Sequence, residues 1–204
     1  PYIFLSEGNR KNNYLLVQDI WQVTKDWELT AGIRYDDYSD FGSTVNPRLA
    51  LIWTTSLNLT TKFLYGSAFR APSFGEMRNI NNPTNLGNPD LSPERIDTYE
   101  IAFNYQSHSN IKYGASFFTY DWQDIIEYVP DAGSTTKTAQ NIGEQQGYGF
   151  ELEFSWATTK SLTLSGNYAW LSAENGENNT IHSVPEQQLY LKAYYEINED
   201  FNLG

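Results

Sequence analysis

The chain has 204 residues and no cysteine, and its 13 Lys and Arg face 25 Asp and Glu for a formal net charge of −12. That balance argues against a nucleic-acid surface, which needs clustered Lys and Arg, and the lack of cysteine excludes disulfides, thiol catalysis and thiolate metal sites. Aromatic residues make up 16% of the chain and charged residues only 19%, the reverse of a disordered composition.

No run of 18 apolar residues is present, so no membrane-spanning helix is predicted. Residues 1–11 read as the end of a strand and a loop. A strand of mixed pattern follows, roughly from Tyr14 to Val23; both faces are partly apolar, Asp19 interrupts one, and its outward face stays unassigned. Thr24-Lys25-Asp26 reads as a tight turn. From there the pattern alternates with period two, strand after strand. One face collects Trp27, Leu29, Ala31, Ile33 and Tyr35, then Pro47, Leu49, Leu51 and Trp53, then Leu57, Leu59, Thr61, Phe63, Tyr65, Ser67 and Phe69. It continues through Tyr99–Tyr105, Ile111–Thr119, Tyr148–Trp156, Leu162–Trp170 and Leu189–Ile197, taking every second residue. None of these positions is charged. The opposite columns hold Glu28, Arg34, Asp36, Arg48, Lys62, Glu100, Lys112, Glu151, Glu153, Lys192 and Glu196.

A face that excludes charge completely is expected of strands in lipid, where Lys or Arg at the bilayer midplane costs roughly 2–4 kcal/mol. A water-soluble antiparallel sandwich, binding carbohydrate through exposed Trp and Tyr, alternates in the same way. Three features favour the membrane. The strands run about 9–13 residues, near the roughly 9–11 that a tilted membrane strand needs and longer than the usual five or six. Trp and Tyr gather near strand ends, as interfacial girdles require. Short turns at Thr24–Asp26, Thr55–Ser56, Ser107–Asn110, Thr158–Ser161 and Asn198–Asp200 alternate with longer loops at Ser39–Thr44, Ala71–Glu94, Pro130–Asn141 and Glu174–Val184. The expected fold is all-β, an antiparallel transmembrane β-barrel segment.

The longest connection is bounded by two boxes, Phe69-Arg70-Ala71-Pro72 and Asn88-Pro89-Asp90-Leu91-Ser92-Pro93-Glu94. Pro72 ends a strand because it has no amide hydrogen for the ladder. Arg70 sits at the lip, where a guanidinium can bind loop carboxylates or an anionic ligand. The boxes either fold the loop back onto the rim or contact a ligand. Elsewhere, Glu151 and Glu153 share the charged face and read as solvated carboxylates rather than an acid–base pair. Asp121, Asp124 and Glu127 lack the spacing of an EF-hand. His108, in a short turn, is not assigned a metal role.

The run from Tyr65 to Met77, the Gly87–Glu94 box and Thr98-Tyr99-Glu100 resemble the TonB-dependent outer-membrane receptors. Gly32–Asp36, Asn46–Leu49 and Gly147–Glu153 fit neighbouring strands of that family. The resemblance implies a 22-stranded barrel with a plug domain inside it, of which residues 1–204 form a partial barrel domain with about nine strands and the start of a tenth. It implies no catalysis and no resident cofactor. It implies import of a scarce, large solute, first a ferric siderophore or similar metal chelate, through the TonB energy-transducing complex by way of a plug absent from these residues, in contact with outer-membrane lipid. The alternatives are a haem or haemoglobin receptor of the same family and a passive outer-membrane channel. Haem receptors of the family place a histidine between the boxes; here residues 73–88 have none, Met77 is the one thioether, and His182 lies in another loop. The expected ligand-facing residues are Tyr38, Phe41, Arg70, Phe74, Arg78, Tyr128 and His182, since aromatics and Arg dominate binding hot spots.

Overall fold

A computed structural model describes residues 3–107, 110–181, 184–198 and 201–203. The chain folds as one antiparallel sheet. In order it forms β1 (Asn12–Thr24), β2 (Trp27–Tyr38), β3 (Gly42–Ser56), β4 (Leu59–Arg70), the short helix α1 (Phe74–Arg78), β5 (Asn85–Leu86), β6 (Glu94–Gln106), β7 (Ile111–Pro130), β8 (Lys137–Ala157), β9 (Leu162–Asn175), β10 (Gln187–Asn198) and β11 (Phe201–Leu203). Each long strand pairs with the next; two-residue β5 stands aside and pairs in parallel with β8. Among the described residues β1 has only β2 as a ladder partner, so the sheet is open at that edge.

The registers join the charge-free columns into one surface. Trp27 pairs with Trp53, Trp53 with Thr61, Thr61 with Phe103, Phe103 with Ala115, Ala115 with Leu152, Leu152 with Tyr168, and Tyr168 with Leu189. Every residue on that line belongs to the charge-free set. The line starts at the first residue of β2, beside a short turn, and ends near the first residue of β10, beside a long loop. Strands staggered in this way are tilted to the axis of the sheet, as barrel strands must be. Aromatic pairs stand along the surface: Trp27 stacks on Trp53 with centroids 5.0 Å apart, and Tyr65 meets Tyr99 at 5.0 Å. Large apolar side chains lie open on it, Tyr99 at 55% and Leu191 at 66% exposure. On the opposite surface Lys62, Glu100, Glu151 and Glu153 line a common hollow.

The registers also assign β1. Leu15, Val17, Asp19 and Trp21 pair with Tyr35, Ile33, Ala31 and Leu29, so they lie on the charge-free surface and Asp19 is an exception within it. Asp19 lies two residues from Trp21, toward the short-turn end of the sheet, and its Oδ1 accepts from the Ile20 amide at 2.9 Å.

Several boundaries differ from those read in the sequence, among them the loop expected over Glu174–Val184, which falls between Asn175 at the end of β9 and Gln187 at the start of β10. The connection expected over Ser39–Thr44 has only three residues, because Gly42 adopts φ 91° and lets β3 start there; a three-residue hairpin loop with a left-handed glycine is a standard geometry. The turn expected at Thr55–Ser56 falls on Leu57 and Asn58, and Leu57 is fully exposed instead of lying in the strand face. The loop expected over Pro130–Asn141 shrinks to residues 131–136, since β7 and β8 reach 20 and 21 residues. Asp124 at φ 55° absorbs a bulge where the β7–β8 register shifts, and the ladder resumes beyond it. The outer ends of this hairpin are longer than a membrane crossing needs. Part of the turn expected at Asn198–Asp200 lies outside the described residues.

Candidate functional site

At the long-loop end of the sheet, β4 and β6 are joined by residues 71–93, which are not a bare loop. Ser73 caps α1: its hydroxyl accepts from the Glu76 amide at 3.2 Å, and the Glu76 carboxylate accepts from the Ser73 amide at 2.7 Å. This is a capping box, legible in the sequence as Ser-x-x-Glu. Pro72, fully buried, separates strand from helix.

The two boxes meet through Arg70. Its guanidinium donates to both oxygens of Glu76, at 3.0 and 3.1 Å, and to Glu94, with which it forms an ion pair. Arg70 and Glu94 face each other across the β4–β6 ladder on the charge-bearing side. Glu94 is 1% exposed and takes two more donors, the Ile126 amide at 2.9 Å and the Trp122 indole at 3.2 Å. Burial raises the affinity of the Glu94 carboxyl for protons, but Arg70, the Ile126 amide and Trp122 outweigh it and hold Glu94 below the usual carboxylate range. Glu76 follows the same logic, with burial opposed by Arg70 and by the amide and hydroxyl of Ser73. Arg70 is held charged by both carboxylates. Of the two roles left open for Arg70, this geometry is that of a latch on the loop carboxylates.

Gly87 belongs to the same lock. A Cβ there would stand 2.6 Å from the Asn79 amide nitrogen and 2.7 Å from Arg78 N and Met77 C, all backbone. The chain after β5 therefore runs directly against the end of α1, where its amide donates to the Asn79 carbonyl at 2.7 Å. Asn88 turns the chain by accepting from the Asp90 amide at 2.9 Å. Asn141 on β8 exchanges bonds with Ser92 and also donates to the Asp124 carbonyl, tying the second box to the β7 bulge. Beneath lies a small core of Met77, Leu91 and Ala139, with Phe41, Ile126 and Tyr128 against it.

The segment before β1 pairs with this loop just beyond α1. Ser6 donates to the Arg78 carbonyl at 3.0 Å and Ile80 to the Phe4 carbonyl at 2.9 Å, around an antiparallel bridge of Leu5 with Asn79. Arg10 sits where three segments meet, bonded to Asp40, the Pro72 carbonyl and Met77, with Tyr38, Phe41 and Phe74 around it.

Of the residues expected to face a ligand, the structure brings Tyr38, Phe41 and Phe74 together: Tyr38 stacks on Phe41 at 4.4 Å, and Phe74 joins them through Arg10. Tyr128 stands on the other side of the Met77 core, its hydroxyl pushed up by burial and the nearby charge of Glu76. Arg78 donates to the Glu7 carbonyl at 2.7 Å and serves the segment before β1. His182, like His108, lies outside the described residues. Sequence reading missed Arg10, Glu76, Glu94 and Trp122. Asp121, Asp124 and Glu127 are not gathered into a metal-binding group among the described residues.

The chain matches the family described as TonB dependent receptor-like, beta-barrel, over residues 1–204. It is 29% identical over 179 residues to the iron-regulated outer membrane virulence protein of Vibrio cholerae, covering 80% of this chain and 28% of that protein. It is 34% identical over 155 residues to the vitamin B12 transporter BtuB of the same species, covering 74% and 23%. A haem/hemopexin utilization protein C of Haemophilus influenzae is 28% identical, covering 86% and 30%. The chain thus spans less than a third of the length of these relatives. Among solved structures, the siderophore receptor PirA of Acinetobacter baumannii superposes with a TM-score of 0.80 at 19% identity, over 96% of this chain and 33% of that one. A variant of the ferric enterobactin receptor PfeA of Pseudomonas aeruginosa, in complex with enterobactin, also gives 0.80 at 19% identity, over 93% and 31%. With its open tilted sheet, charge-free face and latched loop boxes, the chain belongs to the TonB-dependent receptor β-barrel family of the outer membrane.

Proposed function

We propose that residues 1–204 are one partial barrel domain of an energy-coupled receptor that imports a ferric siderophore or similar metal chelate across the outer membrane. The whole-chain family match carries this reading, and iron regulation in the name of a relative supports the cargo class. In the whole protein a plug domain would fill the barrel and contact the TonB energy-transducing complex. The reading gives the chain no catalytic role. The crown formed at the long-loop end of the sheet by residues 71–93, the β2–β3 turn, the segment before β1 and the outer β7–β8 hairpin suits a large, partly aromatic chelate better than a purely anionic one. Arg70 is neutralised by two carboxylates and Arg78 serves a backbone carbonyl, whereas Phe74 is 42% exposed beside Tyr38 and Phe41.

Haem is the second reading, favoured by the similarity to a haem/hemopexin utilization protein. The segment between the boxes lends it little: it has no histidine, and Met77 is 4% exposed, with its sulfur accepting from Arg10. Uptake by cells carrying the full-length receptor separates the two. Energy-dependent accumulation of iron from ferric enterobactin or another ferric chelate is expected. Tight haem binding that is lost in His182→Ala, with no uptake of any ferric chelate, would overturn the chelate reading.

A further inference from the structure

We propose that Arg10 is a positioning residue that sets the aromatic surface of the crown, an inference that rests on the receptor reading above. Its Nε donates to both oxygens of Asp40, at 3.1 and 2.8 Å, while one terminal nitrogen donates to the Pro72 carbonyl at 2.7 Å and to the Met77 sulfur at 3.4 Å. Its central carbon lies 4.9 Å from the centroid of Phe41, 5.0 Å from Phe74 and 5.8 Å from Tyr38. One side chain therefore links three segments that are remote in sequence: the strap before β1, the β2–β3 turn and the start of the long loop. The Arg10 and Asp40 side chains are 18% and 5% exposed, so water competes little with these contacts.

The consequence falls on Phe74. It is the first residue of α1 and is 42% exposed, and it lies outside the small Met77 core that holds Phe41. Its ring is held beside Phe41 and Tyr38 by the guanidinium they share. Lysine cannot substitute, because the arrangement needs donors pointing two ways and a flat cation for the rings, whereas an ammonium is a compact point charge. With Arg10 removed, the strap loses its anchor to Pro72 and Met77, and Phe74 loses its neighbour. The ligand surface would then have to be ordered by the ligand itself, which weakens binding.

The test uses the full-length receptor in outer membranes, comparing wild type with Arg10→Ala, Arg10→Lys and, as a control, Lys11→Ala. Hydrogen exchange is read over residues 3–7 and 78–82, where the Ser6 and Ile80 amides bridge strap and loop. Binding is read with ferric enterobactin and with haemin. Both Arg10 variants are expected to speed exchange there by roughly tenfold or more and to weaken binding of whichever probe the wild type takes by roughly tenfold, and Lys11→Ala to do neither. Unchanged exchange in both Arg10 variants overturns the proposal whatever the ligand. Faster exchange with unchanged binding overturns it too, since Arg10 would then fold the loop without shaping the site, as does wild-type behaviour of Arg10→Lys. Where the wild type takes neither probe, binding is read with the ferric chelate whose iron its cells accumulate; a receptor that binds neither probe and imports no ferric chelate while exchange responds overturns the receptor reading, and the positioning role falls with it.

Discussion

Glu94 collects an arginine, an indole and a backbone amide while almost completely buried. Glu94→Ala leaves the Trp122 indole and the Ile126 amide without their acceptor and Arg70 with Glu76 alone. A broken, fully buried pair costs roughly 3–5 kcal/mol; because the Arg70 side chain is 44% exposed and partly solvated, about 2–3 kcal/mol is expected here. The loss should appear as faster exchange of the Ile126 amide, with the barrel still folded. The same bond gives a pH dependence. The folded Glu94 and Glu76 carboxyls sit below their ordinary value of 4.5. Their contribution is therefore complete above that value and is lost as pH falls through the lowered folded values. Protection of the Ile126 amide should hold down to about pH 4.5 and decline below it. Gly87→Ala is a second residue-scale test. The new Cβ meets the backbone of residues 77–79 at 2.6–2.7 Å, so the 77–80 and 85–88 segments must part, and accelerated exchange of the Gly87 and Asn88 amides is expected. Both boxes were legible as boxes because Pro, Asn and Gly mark chain reversals. Arg10 was not: a single arginine in a loop carries no pattern, and its partners lie 30 to 67 residues away in the sequence.

At the scale of elements, period-two alternation gave the strands and their faces because the middle of one face excludes charge from β2 through β10. It gave no face to β1, where Leu16 and Ile20 keep the inner side apolar and Asp19 breaks the outer one; only the pairing with β2 decides. Asp19 lies close to the Trp21 level, where a carboxylate costs little. Asp19→Leu is therefore expected to leave barrel stability unchanged or raise it by about 1 kcal/mol or less. Ile101→Arg on the charge-free side of β6 should impair insertion by roughly 2–4 kcal/mol, far more than Ala102→Arg on the other side; folding yields into lipid bilayers would compare them. The β7–β8 hairpin was read too short for a physical reason. The stretch from Pro130 to Asn141 is polar, with Pro130, Asp131, Gly133 and a run of Ser and Thr, a composition that signals loop, yet the bulge at Asp124 lets pairing continue and carries Tyr128 and Ala139 to the crown core.

For the whole molecule, longer connections gather at one end of the sheet and short turns at the other, apart from the three-residue Ser39–Phe41 link, which still contributes Asp40 and Phe41 to the crown. In a receptor of this family the crown faces the cell exterior, so a label on Asn81→Cys should react in intact cells; reaction only after the outer membrane is breached would reverse the topology. Everything placed in the crown depends on which surface of the sheet meets lipid. The most direct measurement is a single-cysteine scan of residues 99–105 in β6, a chain with no cysteine of its own, reading fluorescent labels against a lipid-phase and an aqueous quencher in reconstituted full-length receptor. Labels at 99, 101, 103 and 105 should be quenched from the lipid, with those at 100, 102 and 104 quenched from water or shielded by the barrel interior. Lipid quenching at the even positions, or no alternation at all, would contradict the orientation of the sheet and the membrane barrel with it.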